Sequence, residues 1–558
     1  MNETRHFIEH IIDEDILEGF PRSKIKFRFP PEPNGYLHIG HVKAICVNFN
    51  LAKQYNAPIV LRFDDTNPEK EEQQFIDSIK KDISWLGFKW SEERFASDYF
   101  EQLYLWAETL IKNKKAFIDS QSSEQMAAQK GTPTKPGRNS PFRDRPVKES
   151  IELFRAMKAG KHKEGAHVLR AKINMESNNM LLRDPVIYRV LKKEHPRTKK
   201  NWVVYPMYDW AHGESDYIEQ TSHSLCTLEF KPHRELYDWF LDQITEPNRV
   251  RPKQREFARL NLSHTITSKR KLMHLVDGGH VSGWDDPRMP TISGLKRRGY
   301  PPSALVSFVN AAGLSKRENV IEASLLEFFA REELNKTSQR AMVVLDPVKI
   351  IITNYPENKT ELIKTENNPE DLSSGHREVP FSREILIEKE DFKLEANRKF
   401  FRLTIGKEVR LKSAYIICAN NAICDDSQNI KEIHCTYDPK SKSGSGSAES
   451  QRKVKGTLHW VSSQHSVKAE IREYDRLFTE PSPASAKTKE ELVSMLNKGS
   501  INTLQGYAEP SLKNASPGNK YQFQRKGYFV VDKESSTEKI IFNKTVGLRD
   551  NWTKKQNQ

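Results

Sequence analysis

The stretch that most constrains this chain is residues 23–51, where a period of two gives way within a few residues to a helical pattern. Ser23-Lys-Ile-Lys-Phe-Arg-Phe29 alternates as a strand does, Pro30 to Gly35 cannot continue it, and from Ile39 the apolar spacing turns helical through Cys46, Phe49 and Leu51. The succession then repeats: Pro58-Ile-Val-Leu-Arg-Phe63 reads as a second strand, Asp64-Asp-Thr-Asn-Pro68 as a loop, and Glu69–Trp85 as a helix. Two strand-loop-helix units in a row predict a parallel β/α layer. In such sheets ligands gather at the carboxyl ends of the strands, so Arg28, the His38/His41 pair and Asp64 are expected in one crevice. The two histidines stand three apart across Gly40, so one turn puts both imidazoles on the same side, beside the free N–H groups of a helix N-terminus. That place suits a phosphate. Taken alone, a helix cap with two incidental histidines explains the pair equally well.

At 558 residues the chain exceeds what a single core supports, so several domains are expected. Its formal charge of +14 favours a polyanionic partner, nucleic acid or an anionic membrane. No apolar run approaches the roughly 20 residues of a spanning helix, and the opening Met-Asn-Glu-Thr-Arg-His lacks the apolar core of a secretion signal. Cys46, Cys226, Cys418, Cys424 and Cys435 form an odd set without a C-x-x-C pair, against both a disulfide framework and a zinc ribbon. A soluble, cytoplasmic protein in a reducing compartment, with no metal held by its own side chains, is the expectation.

Residues 6–19 read as a short acidic amphipathic helix. From about Ser97 to Trp202 the texture changes to a Gly/Pro/Arg/Lys-rich loop, Gly131 to Arg145, and a basic helix-like stretch around Phe154 to Lys163. Strand-like texture returns at Tyr205–Trp210 and Thr227–Phe230, and helical patterns run on to about Arg340. Beyond Val343, short alternating runs such as Val348–Ile352, Lys407–Leu411 and Thr457–Val461 predict an all-β region, interrupted by a flexible Ser/Gly-rich loop at Pro439 to Ser450.

Pro-x-Pro-x-Gly-Tyr-Leu-His-Ile-Gly-His resembles the HIGH motif of class I aminoacyl-tRNA synthetases, in the form carried by the glutaminyl and glutamyl enzymes. Thr265-Ile-Thr-Ser-Lys-Arg-Lys271 is similar to their second motif, the KMSKS loop, with Thr267 where Met or Val is usual. Similarity to glutaminyl-tRNA synthetases runs from about Phe7 to about Trp552. The resemblance implies a multidomain α/β plus β architecture. A Rossmann-like catalytic domain (residues 1–97 and 204–262) carries an inserted acceptor-end-binding domain (98–203), followed by a helical subdomain (263–339) and two β-barrel anticodon-binding domains (340–558).

It implies as well an ATP-dependent activation of glutamine, with Mg²⁺ accompanying the ATP, and transfer to the 3′-terminal adenosine of tRNA(Gln) by a monomer. By the family's pattern His38, His41 and Lys269 would be catalytic. Glu32, Pro33, Asn34, Arg259, Leu260 and Ser268 would join them at ATP. Arg28 would face the α-carboxylate and Asp64 the α-ammonium of glutamine, with Tyr208, His212, Cys226 and Gln254 around its side chain. Asn335, Arg340, Arg402, Arg410, Gln522 and Arg525 would read the anticodon. Chemistry agrees with this division. Attack of a carboxylate on the α-phosphorus builds negative charge that a fixed cation must meet, and selecting an amide needs buried partners that the wrong group leaves unpaired.

Two positions favour glutamine over glutamate. Asn34 gives the glutaminyl form of the loop, and Cys226 stands where glutamyl enzymes place an arginine, whose guanidinium would attract a carboxylate. Pro133 and Pro232 depart from some bacterial members, which carry Leu and Asp there to handle the acceptor stem. Three alternatives remain at this stage: a glutamyl-tRNA synthetase, a silent tRNA-binding paralogue, and a small-molecule nucleotidyltransferase sharing the histidine loop.

Overall fold

A computed structural model describes residues 5–69 and 71–549, so Trp552 lies outside the described residues. The chain divides into two compact bodies, residues 1–261 with 309–321, and residues 262–308 with 322–558.

In the first body the acidic helix α1 (Phe7–Leu17) precedes strand β1 (Phe27–Phe29), helix α2 (Ile39–Tyr55), strand β2 (Ile59–Phe63), helix α3 (Gln73–Trp85) and strand β3 (Glu92–Phe95). β1, β2 and β3 are parallel, with Phe27 opposite Ile59 and Val60 opposite Glu92. The expected β/α layer is present, with two differences. Only the last three residues of the alternating run enter the sheet, because Arg22–Lys24 close into a 3₁₀ turn. β3, with a half-exposed charged sequence, carries no apolar signal of its own.

The next stretch holds α4 (Phe100–Lys112), β4 (Ala116–Asp119), α5 (Ser123–Lys130), α6 (Val147–Lys158), β5 (Val168–Ala171), β6 (Val186–Val190) and β7 (Val204–Pro206). Its four strands pair antiparallel in chain order. α4 and α6 cover them, and a shared core runs from Leu103, Phe154 and Tyr188 to Trp210 and Phe240. After β7 come α7 (Tyr208–Ile218), β8 (His223–Thr227), α8 (Arg234–Ile244) and β9 (Lys253–Phe257), with β8 and β9 parallel. β8 continues the first layer, since Ser222 N–H donates to the Lys26 carbonyl at 3.0 Å. The strand texture read at Thr227–Phe230 belongs one step earlier; Leu228–His233 is a 3₁₀ helix containing Pro232.

The second body opens with helix α9 (Lys269–Asp277). Among the described residues its β region holds two barrel-like seven-stranded sheets and a two-stranded antiparallel one, Glu361–Glu366 with His376–Phe381. In one, Pro347–Ile352 runs parallel to Ile430–Tyr437 and antiparallel to Glu384–Glu388; in the other, Val467–Tyr474 lies between Ile501–Ala508 and Ile540–Val546. Each has its own buried cluster, around Trp460 and Phe381 in the first and around Phe523, Phe529 and Phe542 in the second. The Ser/Gly-rich segment contains a 3₁₀ turn and a short helix, Ala448–Gln451.

One loop of the insertion is built around a buried cation. Arg183, 2% exposed, donates to the carbonyls of Ser177 (2.7 Å), Lys130 (2.8 Å), Thr132 (2.9 Å) and Lys135 (2.9 Å). Thr132 and Lys135 exchange two backbone bonds of 3.1 Å, leaving Pro133 and Thr134 exposed at the tip. Arg183→Met orphans those carbonyls. It is expected to cost about 2–4 kcal/mol and to open the Lys130–Gly131 bond to trypsin; unchanged digestion and urea midpoint would dismiss the role.

Candidate functional site

The histidine pair is made by its own backbone. His38 is the N-cap of α2; its Nδ1 accepts the Gly40 N–H at 3.1 Å, and the Nδ1 of His41 accepts the His38 N–H at 3.1 Å. Two of the N–H groups expected to face a ligand are thus taken by the histidines themselves. Because both Nδ1 atoms accept, both protons sit on Nε2. Burial pushes both pKa values down, that of His41 to about 4. The rings, 3.9 Å apart, are therefore two neutral N–H donors at physiological pH. A Cβ on Gly40 would lie 2.9 Å from Cε1 of His38 and 3.8 Å from the Leu260 carbonyl, so only glycine lets this ring stay in place.

Next to this loop, Glu32 and Asn34 line a cavity of about 170 Å³ together with Asp64, Arg189 and Tyr208. Residues assigned to ATP and to glutamine thus meet in one place. The volume falls below the ~300 Å³ of drug-sized sites and suits an amino-acid-sized group. Pro33 shapes the wall through its carbonyl, which accepts the Glu72 N–H at 3.2 Å. Asp64 receives the Thr66 hydroxyl at 2.9 Å, and burial raises its pKa, so an arriving ammonium would favour its charged form. Burial also holds the Tyr208 phenol far above its ordinary value, and the ring stacks on His212 at 4.9 Å.

Arg28 is engaged by the protein itself. It is 0% exposed and donates to Asp216 (3.1 Å), the Leu225 carbonyl (2.7 Å), Ser224 (2.7 Å) and His212 Nε2 (2.8 Å). A guanidinium so engaged supports the crevice floor, and Arg189 is a cation among the residues that line the cavity. Asp216, which the sequence reading missed, also receives Arg62 (2.8 Å), Ser224 (2.6 Å) and Tyr237 (3.0 Å). Burial works against its charge, yet Arg28 and Arg62 hold its pKa far below the usual range. The spacing Tyr208, His212, Asp216 down one face of α7 was the signal that could have found it. His212, lowered by burial to about 3, is neutral.

Around the side-chain end, burial raises Cys226 to about 12, so its thiol is neutral and no nucleophile. Gln254 donates Nε2 to the Phe230 carbonyl (3.0 Å) and to Glu256 (2.9 Å), which leaves Oε1 as the group it can offer. Arg259 is half exposed, with long contacts to Glu229 (3.3 Å) and Glu318 (3.4 Å).

Asp65, Glu71 and His195 bring ligand atoms within 4.8 Å of one another, all buried. They do not suit a cation. His195 Nδ1 accepts the N–H groups of Arg197 and Thr198 at 3.1 Å each, which puts its proton on Nε2, 2.7 Å from the Asp65 carbonyl. Burial raises Asp65 to about 7 and Glu71 to about 10, so the group stores protons.

In the second body Ser268 is the N-cap of α9 and Lys269 its first residue. The loop is anchored around Thr267: Ile266 is buried with Leu272 and Phe478, and Lys271 Nζ donates to the carbonyls of Ala484 (2.6 Å) and Ala486 (2.8 Å). The candidate anticodon residues fall into two groups. Arg340 donates to Asn335 at 3.0 Å, and Tyr528 bridges Asn335 (3.1 Å) and Gln522 (2.9 Å). Arg402 (3.0 Å) and Arg525 (2.6 Å) share the buried Asp391. Arg410 belongs to neither: it donates to the carbonyls of Ser441, Ser450 and Arg452 and clamps the Ser/Gly-rich loop.

Two outcomes follow. Gly40→Ala, by displacing His38, is expected to lower kcat at least about tenfold with the fold intact, since misplacing a reacting group by ~1 Å costs about 10²-fold; a normal rate would separate the ring from the chemistry. A carboxyl raised in the folded state stabilises most below its unfolded pKa, and that contribution is lost as pH climbs towards the folded value. The contribution of these two carboxyls should therefore fall between about pH 5 and 9, and Glu71→Gln should make the stability of the variant fall less than that of the parent over this range, by roughly 1–3 kcal/mol in urea unfolding. Parallel profiles for variant and parent would rule out a protonated Glu71.

Against known families, the model for tRNA synthetases class I (E and Q), catalytic domain, matches residues 24–336, and two anti-codon binding domain models of the same family match residues 338–438 and 457–532. The chain is 51% identical over 551 residues to a glutamine–tRNA ligase of Rhodopirellula baltica, covering 99% of this chain and 91% of that protein. It is equally similar to those of Nitrobacter hamburgensis (51%, covering 99% and 97%) and Cronobacter sakazakii (51%, covering 98% of each). The chain belongs to the class I tRNA synthetases of the E and Q family, in which it matches glutamine–tRNA ligases along nearly its whole length.

Proposed function

We propose that this protein is a glutamine–tRNA ligase, which joins glutamine to AMP at the expense of ATP and passes the glutaminyl group to the 3′-terminal adenosine of tRNA(Gln). The observation that carries the choice of amino acid is the neutral thiol of Cys226, close to Tyr208. A neutral thiol offers nothing to a carboxylate, while Gln254 Oε1 is an acceptor that an amide N–H can satisfy and a carboxylate cannot.

Asp64 takes the α-ammonium and Arg189 the α-carboxylate, with Tyr208 donating its phenol to the side-chain oxygen. The neutral Nε2–H groups of His38 and His41 donate to oxygens of the α-phosphate, and Lys269, with Ser268 and Arg259, takes the departing pyrophosphate. Mg²⁺ enters as the counterion of ATP, not on the Asp65, Glu71 and His195 group. Asn335, Arg340 and Gln522, and separately Arg402 and Arg525, read the anticodon. The insertion at 98–203 takes the acceptor end, the regions on either side of it form the catalytic domain, and the protein works as a cytoplasmic monomer. Among the described residues no helix is long and apolar enough to cross a membrane.

The test is charging of purified tRNA with labelled glutamine and glutamate in parallel. Charging with glutamine alone is expected, and charging with glutamate would mean the pocket has been misread. Lys269→Ala should lose pyrophosphate exchange but keep tRNA affinity. Tyr208→Phe should lower kcat/KM for glutamine by about 10–100-fold, the worth of one buried hydrogen bond; an unchanged value would remove the phenol from recognition.

A further inference from the structure

A second cavity of the first body, about 370 Å³, is lined by four cationic side chains, Lys114, Arg143, Arg145 and Lys172, against one acid, Asp144. Arg143 and Arg145 are fixed: Arg143 Nε donates to Asp184 at 2.6 Å, and Arg145 donates to the Ile118 carbonyl at 2.8 Å and to Ser120 at 3.0 Å. The two lysines are not held in this way. Lys114 is exposed, at a turn with φ 57°, and Lys172 meets Asp144 at 2.6 Å, a carboxylate 86% exposed, so that pair is weak and easily exchanged.

The same cavity contains the start of α6. Pro146, its N-cap, provides no side-chain cap for the first N–H groups, and the dipole of the 12-residue helix favours an anion there. Ser150, on the first turn, lines the cavity at 1% exposure, and its Oγ has no hydrogen-bond partner. A buried unpaired hydroxyl is an unmet cost that an arriving acceptor can relieve.

We infer that this cavity binds a phosphate group of the tRNA backbone. The inference rests on the reading of the protein as a tRNA ligase, and the binding site is separate from the cavity beneath Tyr208. The volume exceeds that of a lone phosphate and accommodates one with its flanking sugar. The chain's net charge of +14 and the exposed Lys135 and Arg138 of the same insertion favour a polyanion over a small phosphate compound.

The test uses the full chain, the double variant Lys114→Gln/Lys172→Gln, and Ser150→Ala. The double variant should weaken tRNA binding about three- to tenfold near 0.1 M salt, with a salt slope shallower by about 1. Inorganic phosphate should raise the Tm of the parent and not that of the double variant. Ser150→Ala should weaken tRNA binding in the same direction; a raised Tm with unchanged tRNA affinity would make its hydroxyl a packing defect and overturn its part. Lost phosphate protection with tRNA affinity intact would leave an anion site for small phosphate compounds and overturn the RNA assignment. Parent-like behaviour of the double variant in both assays would overturn the site altogether. Glutamine charging by the parent at saturating tRNA tests the ligase reading by itself: charging with parent-like double-variant binding removes only the site, and RNA binding through the site without charging removes only the ligase.

Discussion

The catalytic crevice depends on one buried carboxylate. Asp216 is 0% exposed and receives two guanidinium groups, a hydroxyl and a phenol. Two buried cations around one anion would be costly if any donor were left over. Here Arg62 has a second partner in Glu219 at 2.9 Å, and Arg28 spreads its remaining donors over Ser224, His212 and a carbonyl. Arg28 lies on β1, Arg62 on β2, Asp216 on α7 and Ser224 on β8, so this network fixes the strand ends on which the substrate cavity is built. It also fixes His212, whose Nε2 must accept from Arg28, and thereby the ring on which Tyr208 stacks.

That arrangement separates two electrostatic tasks. The floor is charged but internally satisfied, while beside the charged Asp64 and Arg189 of the cavity the first body holds neutral groups: two imidazole N–H groups, a phenol and a thiol. Neutral donors can follow charge as it develops on phosphate oxygens without a standing attraction for every anion. A neutral wall also suits a choice between two amino acids that differ by one charge. Further fixed positive charge sits at Lys269 in the second body and on the basic insertion.

What could be read from the sequence was what local periodicity and spacing carry. The strand-loop-helix succession placed β1, β2 and α2, and the three-residue spacing of His38 and His41 put the rings together, because these follow from neighbours along the chain. The partners of Arg28 were not legible, because they lie 184–197 residues away and no local pattern says whether a guanidinium is already engaged. The same holds for Arg410, whose donors go to a loop 31–42 residues on. Glu71 escaped notice because an acid near a helix start looks like ordinary dipole compensation; only burial beside Asp65 makes it a proton store.

The two anticodon groups illustrate the same distinction from the other side. Arg340 and Gln522 face each other across a parallel strand pair, and Tyr528 bridges Gln522 to Asn335 at the end of the helix Ala323–Thr337. These side chains hold one another in place with neutral or shared bonds that a base edge can displace. Arg402 and Arg525 instead share Asp391, which fixes both guanidinium planes while leaving them about a third exposed. A cation paired on one side and open on the other is preorganised for a second planar acceptor, because its orientation has been fixed before the ligand arrives. The difference between a fully buried arginine such as Arg28 and one such as Arg525, which is free to meet a ligand, therefore lies in whether one face of an ordered guanidinium remains in contact with solvent.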